Sequence, residues 1–286
     1  MGRAAVRVTV DGVELYFDVD GAALVPDGER LRERPTLLLL HGGPGGDHTS
    51  FKPWLSSLAG ECQLVYLDHR GQGRSGGDDP ADWNLDRWAR DVHGFCAATG
   101  IDRPVVLGAS FGSLVALRYA ADHPHDLRGL VLLEAFARFL PARVAEAFGA
   151  RHGAEAARAA ARFFAAPSAR NHERYRRHCH PFYSRQAPDP SAARRALARP
   201  QVSRHFFAGE AATLDLRADA ARVTCPVLIV NGRDDPIAPV AAARELAAAF
   251  PPDTAELVLL ADASHDLAVD APERVLELVR AFIARV

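Results

Sequence analysis

The chain alternates between short apolar runs and amphipathic stretches. Val6–Val10 and Val13–Val19 alternate apolar with polar residues around Asp11-Gly12, which predicts an antiparallel hairpin. Thr36–Leu40 is a compact apolar run of the kind a strand buried on both faces requires, and Cys62–Leu67, Val105–Leu107, Leu130–Leu133, Val227–Val230 and Leu257–Leu260 repeat it. Helical periodicity separates these runs. It covers Leu85–Thr99, behind Asn84 as cap, then Phe111–Asp122, ending at His123-Pro124, and later Val240–Phe250 and Pro272–Val286. Strands alternating with helices imply right-handed crossovers and a mostly parallel sheet with helices on both faces.

The alternation stops between Ala137 and Ala221, where the text is rich in Ala and Arg and holds no strand run. The parse is an α/β core at 1–136 and 222–286, interrupted by a helical cap insertion at 137–221, with Gln186–Pro190 as a loop inside it. There is no internal repeat. Net charge is only -2, so neither nucleic acid nor a membrane surface is expected as partner. That balance hides an asymmetry. Between Arg138 and Arg217, 15 arginines face six acids, a surplus of nine, which leaves the rest of the chain at -11. Lys52 is the one lysine. A coding bias accounts for arginine replacing lysine, but not for the gathering of positive charge in one segment.

Cys62, Cys96, Cys179 and Cys225 are widely spaced, which speaks for free thiols in a reducing compartment. His178-Cys179-His180 lacks a third ligand at convincing spacing, so no metal is expected. The opening MGRAAVRVTVDG has no apolar stretch suited to a signal peptide, and no window approaches the ~18 apolar residues of a membrane span. A cytoplasmic protein is the expectation. Nothing decides between monomer and homodimer.

Gly108-Ala109-Ser110-Phe111-Gly112 is a G-x-S-x-G pentapeptide that follows one predicted strand and opens a predicted helix. A sharp strand-to-helix turn lifts a serine hydroxyl above the sheet edge, and the helix N-terminus behind it favours developing negative charge. Such a serine needs a base to take its proton. After the insertion, Val227–Val230 runs into Asn231-Gly232-Arg233-Asp234-Asp235-Pro236, where two adjacent carboxylates compete for the role of orienting that base. The loop spacing from Gly232 and Pro239 favours Asp235, with Asp234 facing solvent or capping the turn. Among 12 histidines, His265 hangs just past the last strand, where a base belongs. The strand Thr36–Leu40 ends in His41-Gly42-Gly43-Pro44-Gly45-Gly46, a loop whose amides can face inward. Gly43 N–H and Phe111 N–H are the two candidate oxyanion donors. A phosphate cradle is the rival, but the loop lacks the lysine and the spacing of a P-loop.

HGGPGG at 41–46, Asp68-His69-Arg70-Gly71-Gln72-Gly73-Arg74-Ser75 and GASFGS at 108–113 resemble the proline iminopeptidase branch of the α/β-hydrolase superfamily. The resemblance implies an eight-stranded α/β-hydrolase fold with a helical cap, no metal and no organic cofactor. It maps the triad onto Ser110, Asp235 and His265. It also implies acids, largely from the cap, that hold the free α-amine of a short peptide. Two departures stand out. Phe111 replaces the Trp usual after the nucleophile, and the cap is strongly basic. Glu173, Glu210, Asp215 and Glu134 are the acids available. His41, Gly42, Glu134, Glu210 and Phe206 are the candidate substrate contacts.

An arginine-dense cap favours a carboxylate- or phosphate-bearing substrate, whereas an amine pocket wants negative charge. The alternatives therefore stay open: a peptidase of the proline iminopeptidase kind, or an esterase, lactonase or C–C bond hydrolase acting on a small molecule. Epoxide hydrolysis and dehalogenation need a carboxylate where Ser110 stands. A non-catalytic ligand receptor is the reading of another class, although such a protein need not keep the whole constellation.

Overall fold

The computed structural model describes residues 6–187 and 189–286; the first five residues of the N-terminal segment and Pro188 of the Gln186–Pro190 loop lie outside the described residues. The chain opens with the hairpin β1 (Arg7–Val10) and β2 (Val13–Asp20). Asp11 and Gly12 join them at φ of 47° and 77°, the pair of positive values a two-residue hairpin turn requires. A small separate ribbon follows, β3 (Leu24–Asp27) paired antiparallel with β4 (Arg30–Glu33). Most of its side chains are exposed, so it carries neither an apolar run nor an alternation, and the hydrophobic pattern does not announce it.

The core continues with β5 (Thr36–Leu40), β6 (Gln63–Leu67), α1 (Leu85–Thr99), β7 (Val105–Ala109), α2 (Phe111–Asp122) and β8 (Gly129–Leu133). Among the described residues six α-helices follow: α3 (Pro141–His152), α4 (Ala154–Ala165), α5 (Ala169–His178), α6 (Pro190–Arg195), α7 (Pro200–Ala208) and α8 (Arg217–Ala220). The core resumes with β9 (Val227–Gly232), α9 (Val240–Ala247), β10 (Ala255–Leu260), α10 (Leu267–Asp270) and α11 (Pro272–Arg285).

The main sheet has eight strands in the order β1-β2-β6-β5-β7-β8-β9-β10. The first two pairings, β1 with β2 and β2 with β6, are antiparallel and the rest are parallel. Alternate residues of the central strands feed two cores. Leu38, Leu40 and Val106 pack with α1 and α2, while Leu37, Leu39 and Leu107 pack with Phe51, Leu55 and α11. One expectation needs correction. The last strand is not buried on both faces: β10 starts at Ala255, pairs only with β9 and is partly exposed along most of its length, because it forms the sheet edge.

The inserted helices extend the core on the α1–α2 side. Val144, Phe148, Phe163, Tyr175 and Phe206 are buried in one continuous cluster with that face. Their base is pinned where Leu216 N–H donates to Ala137 O at 2.9 Å. Part of the charge asymmetry is met at this seam. Arg143 bonds Glu245 at 3.1 Å, Arg185 bonds Asp234 at 2.8 Å, and Arg138, Arg151 and Arg199 reach Glu245, Asp234 and Asp78. Basic helices meet an acidic core. Among the described residues, no helix is long and apolar enough to cross a membrane, and the four cysteines are buried free thiols.

Candidate active site

Two glycines explain the shape of the turn between β7 and α2. A Cβ on Gly108 would lie 2.3 Å from Gly112 O, and one on Gly112 would lie 2.0 Å from Leu40 O. Strand, helix and the neighbouring β5 therefore approach at distances only glycine permits. The turn holds Ser110 at φ 51°, ψ -115°, a strained conformation for a side chain with a Cβ. Ser110 N–H donates to Leu133 O at 2.9 Å, so the strain is locked by the adjacent strand. Phe111 N–H opens α2 at a position with no intrahelical partner.

The structure brings the three expected side chains together. Ser110 Oγ lies 2.9 Å from His265 Nε2, and His265 Nδ1 lies 2.8 Å from Asp235 Oδ2. Asp235 is fixed by its own loop, since Oδ1 accepts Ile237 N–H at 2.7 Å and Ala238 N–H at 2.9 Å. That leaves Oδ2 free for the imidazole and assigns the Nδ1 proton to the carboxylate side. Asp234 faces the other way, toward Arg151 and Arg185.

The loop carrying His265 is held from three directions. Ser264 N–H donates to Asp270 Oδ2 at 2.8 Å, Asp266 N–H to Tyr183 O at 2.7 Å, and Leu267 N–H to Glu134 Oε1 at 3.0 Å. Burial alone would lower the His265 imidazole. The charge and hydrogen bond of Asp235 overcome it, with Glu134 and Asp266 adding to them, and raise it to about 9.

The glycine loop sits beside the serine because Leu40 pairs with Gly108 in the β5–β7 register. A Cβ on Gly42 would lie 3.4 Å from Ser110 Cβ. Gly43 adopts φ 134°, a value closed to other residues in practice. Asp68-to-Ser75 forms the frame of this loop. Gln72 Oε1 accepts Gly45 N–H at 2.5 Å, and Asp68 accepts His48 N–H and Arg74 N–H, each at 2.8 Å.

Other expected contacts take different tasks. Both His41 nitrogens are committed internally: Nε2 accepts His69 N–H at 3.2 Å, which leaves Nδ1 to donate to Gly42 O at 2.8 Å. Burial keeps this ring neutral, so His41 braces the loop and is not placed as a substrate contact. Glu210 Oε2 accepts Leu85 N–H at 2.9 Å and so caps the start of α1, where an anion is favoured. Glu173 and Asp215 pair with Arg176 and Arg217. Phe206 does reach the elbow, its ring 5.4 Å from that of Phe111. Glu134 lies buried just past the end of β8, near enough to His265 for the two charges to interact.

Tyr183 is the site residue that the pattern did not single out. Its ring stands edge-on to His265 at 5.0 Å, and its hydroxyl is 2.7 Å from that of Tyr175. In sequence it is one aromatic among several in the insertion, and nothing in the spacing separates it from the packing residues. Away from the site, His93, His123 and Asp126 gather between α1 and the end of α2, but the two imidazoles stack at 3.9 Å with planes 5° apart. Parallel rings do not aim their lone pairs at one point.

The sequence matches the alpha/beta hydrolase fold family over residues 35–272. It is 30% identical over 233 residues to a relative from Escherichia coli O7:K1 (strain IAI39 / ExPEC) named "Putative carbamate hydrolase RutD", covering 79% of this chain and 83% of the relative. Among solved structures, the proline iminopeptidase of Mycobacterium smegmatis superposes with a TM-score of 0.80 at 23% identity, over 99% of this chain and 98% of the other. A proline iminopeptidase-related protein of Thermus thermophilus gives 0.74 at 26% identity, over 99% and 98%. The enol-lactonase of Burkholderia xenovorans LB400 gives 0.70 at 24%, over 98% and 100%.

Proposed function

Since this chain belongs to the alpha/beta hydrolase fold family, we propose that it is a serine hydrolase that cleaves an ester, lactone or amide through an acyl-enzyme on Ser110. The observation that carries this reading is the unbroken chain from Ser110 through His265 to Asp235. His265 Nε2 takes the Ser110 hydroxyl proton as Oγ attacks the acyl carbon, and returns it to the leaving group as the bond to that group breaks. A water then attacks the acyl carbon, losing a proton to His265, which returns it to Ser110 Oγ as the acyl–oxygen bond breaks and the acid leaves. Asp235 holds the imidazole in register. Gly43 N–H and Phe111 N–H receive the oxyanion, with the amino end of α2 behind them. No metal or cofactor enters these steps.

The insertion at 137–221 serves as the cap over this edge of the sheet. Its acids argue for a neutral acyl group. Glu173, Asp189, Glu210, Asp215 and Asp219 are paired with arginines or with the α1 amide, and Glu146 and Glu155 are exposed. Burying an ammonium needs a free carboxylate partner. Five of its arginines, Arg138, Arg143, Arg151, Arg185 and Arg199, likewise meet core acids, which weakens the expected preference for an acidic substrate. Phe206 and Tyr183 supply apolar surface next to the elbow instead. A small-molecule esterase, lactonase or carbamate-cleaving enzyme fits best.

The peptidase reading keeps two supports, the likeness to a proline iminopeptidase-related protein and the buried Glu134 near His265. Rates on aryl esters, a lactone, an aryl carbamate and prolyl-arylamide decide between them, with Ser110→Ala as control. Ester, lactone or carbamate turnover without prolyl-arylamide turnover is expected. Preference for the N-terminal prolyl substrate would reinstate the peptidase.

A further inference from the structure

Glu134 is placed with unusual care for a residue outside the triad. It stands at φ 57°, a conformation that costs a non-glycine residue free energy unless its surroundings enforce it. The surroundings do so. Glu134 N–H donates to Val230 O at 2.9 Å, and the next residue, Ala135, exchanges hydrogen bonds with the Asn231 side chain at 3.1 Å each way. Asn231 also reaches Ala238 O at 3.3 Å, on the loop that carries Asp235. The Glu134 carboxyl then turns to Leu267 N–H, two residues past His265. Glu134 thus holds the His265 loop directly, and its neighbour Ala135 reaches the Asp235 loop through Asn231.

We infer that Glu134 is a positioning residue for His265: it braces the turn that carries the imidazole, and the ionisation of its carboxyl sets the pH at which the imidazole releases its proton. The inference rests on the proposed role of His265 as base. His265 is faced by Asp235 from the β9 loop, Asp266 from its own loop with Asp270 behind, Ser110 from the elbow, and Tyr183 and His180 from the insertion. Of these groups and Glu134, Glu134 is the acid whose charge is most strongly opposed by its site, since burial pushes it up to about 8 even with His265 nearby. Glu134 and His265 therefore titrate as a pair, in which loss of one proton makes loss of the other harder. A negative charge beside an imidazolium favours the protonated form, so removing that charge must lower the pH at which His265 becomes a base.

Glu134→Gln keeps an oxygen for Leu267 N–H and removes the charge. The test follows the His265 ring by NMR from pH 5 to 10 in both proteins, together with the acidic limb of kcat/KM on a neutral aryl ester. Both midpoints are expected to fall by about half a pH unit or more in the variant, a size typical of one nearby partly buried charge. An unmoved or raised His265 midpoint overturns the inference and leaves Glu134 a brace only. Should the variant not fold, the unmutated protein suffices: coupled, two-step titration of the His265 ring and the Glu134 carboxyl carbon supports the pairing, and two independent single steps overturn it. Fluorophosphonate labelling of Ser110 is scored separately. Failure to label removes the hydrolase reading, while the NMR titration still decides the coupling.

Discussion

The turn at Ser110 and the inserted helices are held by different physics. The turn is set by backbone sterics. Gly108 and Gly112 touch backbone atoms that no side chain could approach, and the strained Ser110 follows from that fit. The insertion is held by apolar packing and by polar side chains that reach partners across long stretches of chain. Arg151 reaches Asp234 over 83 residues, and Glu210 reaches Leu85 over 125. Sterics at fixed spacing leave a signature in the sequence, whereas pairings between distant surface charges do not. Adjacent residues make the same contrast at small scale: Asp235 serves the imidazole, while Asp234 serves the seam.

Neutralising those two neighbours should therefore have unequal results, which is the largest expected effect. Asp235→Asn removes the partner that fixes the His265 tautomer and should lower kcat by roughly 10,000-fold. Asp234→Asn should leave kcat within about threefold and lower stability by about 1 kcal/mol or less, as an exposed ion pair does. Equal losses in steady-state assays would erase the distinction between the two regions.

Gly112→Ala comes next. The added methyl has no room beside Leu40 O, so the elbow must shift, and a loss of about 1–3 kcal/mol is expected in urea unfolding, along with loss of most activity. Gly153→Ala, in the insertion, meets nothing within 4 Å, but φ 86° with ψ 173° is a backbone region that a residue with a Cβ avoids, so a loss of about 1–3 kcal/mol is expected here too, with activity kept.

A third comparison sets the loop frame against the seam. Gln72→Ala strips Gly45 N–H of its acceptor and should lower kcat/KM by about 10- to 100-fold, from about 1–3 kcal/mol for an unsatisfied buried donor. Raising salt should instead loosen the insertion, seen as faster hydrogen exchange in α3 and α7 than in α2. Salt effects spread evenly over the chain would contradict a charge-held seam.

The smallest effect is on stability against pH. Glu134 is raised in the fold from its ordinary 4.5 to about 8, so its stabilising contribution is complete below 4.5 and is lost as the pH rises through 8. His265, raised from 6.5 to about 9, adds stability below 6.5 that is lost as the pH rises through 9. Burial lowers His41, His69 and His180, which add stability as the pH rises toward 6.5, so the fall belongs above that range: Tm should decrease between pH 7 and pH 9, and Glu134→Gln should flatten part of that fall in calorimetry. A Tm that rises over this range would contradict both directions.

These contrasts account for what the sequence disclosed. The eight sheet strands were legible because seven stand out as apolar or alternating runs and the eighth, β10, still shows the run Leu257–Leu260. The β3–β4 ribbon was not, since an exposed ribbon needs no apolar pattern. Ser110, Asp235 and His265 were legible because each sits just past a strand at the same edge of the sheet. Glu210 and His41 misled because a polar residue near a site reads alike whether it faces substrate or braces backbone. Tyr183 was hidden among aromatics that only packing distinguishes.

The most direct test of the central claim is intact-mass and peptide mapping after treatment with a fluorophosphonate. One adduct per chain, on Ser110 and absent from Ser110→Ala and His265→Ala, is the predicted result. No adduct, or an adduct that persists in Ser110→Ala, would contradict the assignment of Ser110 as nucleophile.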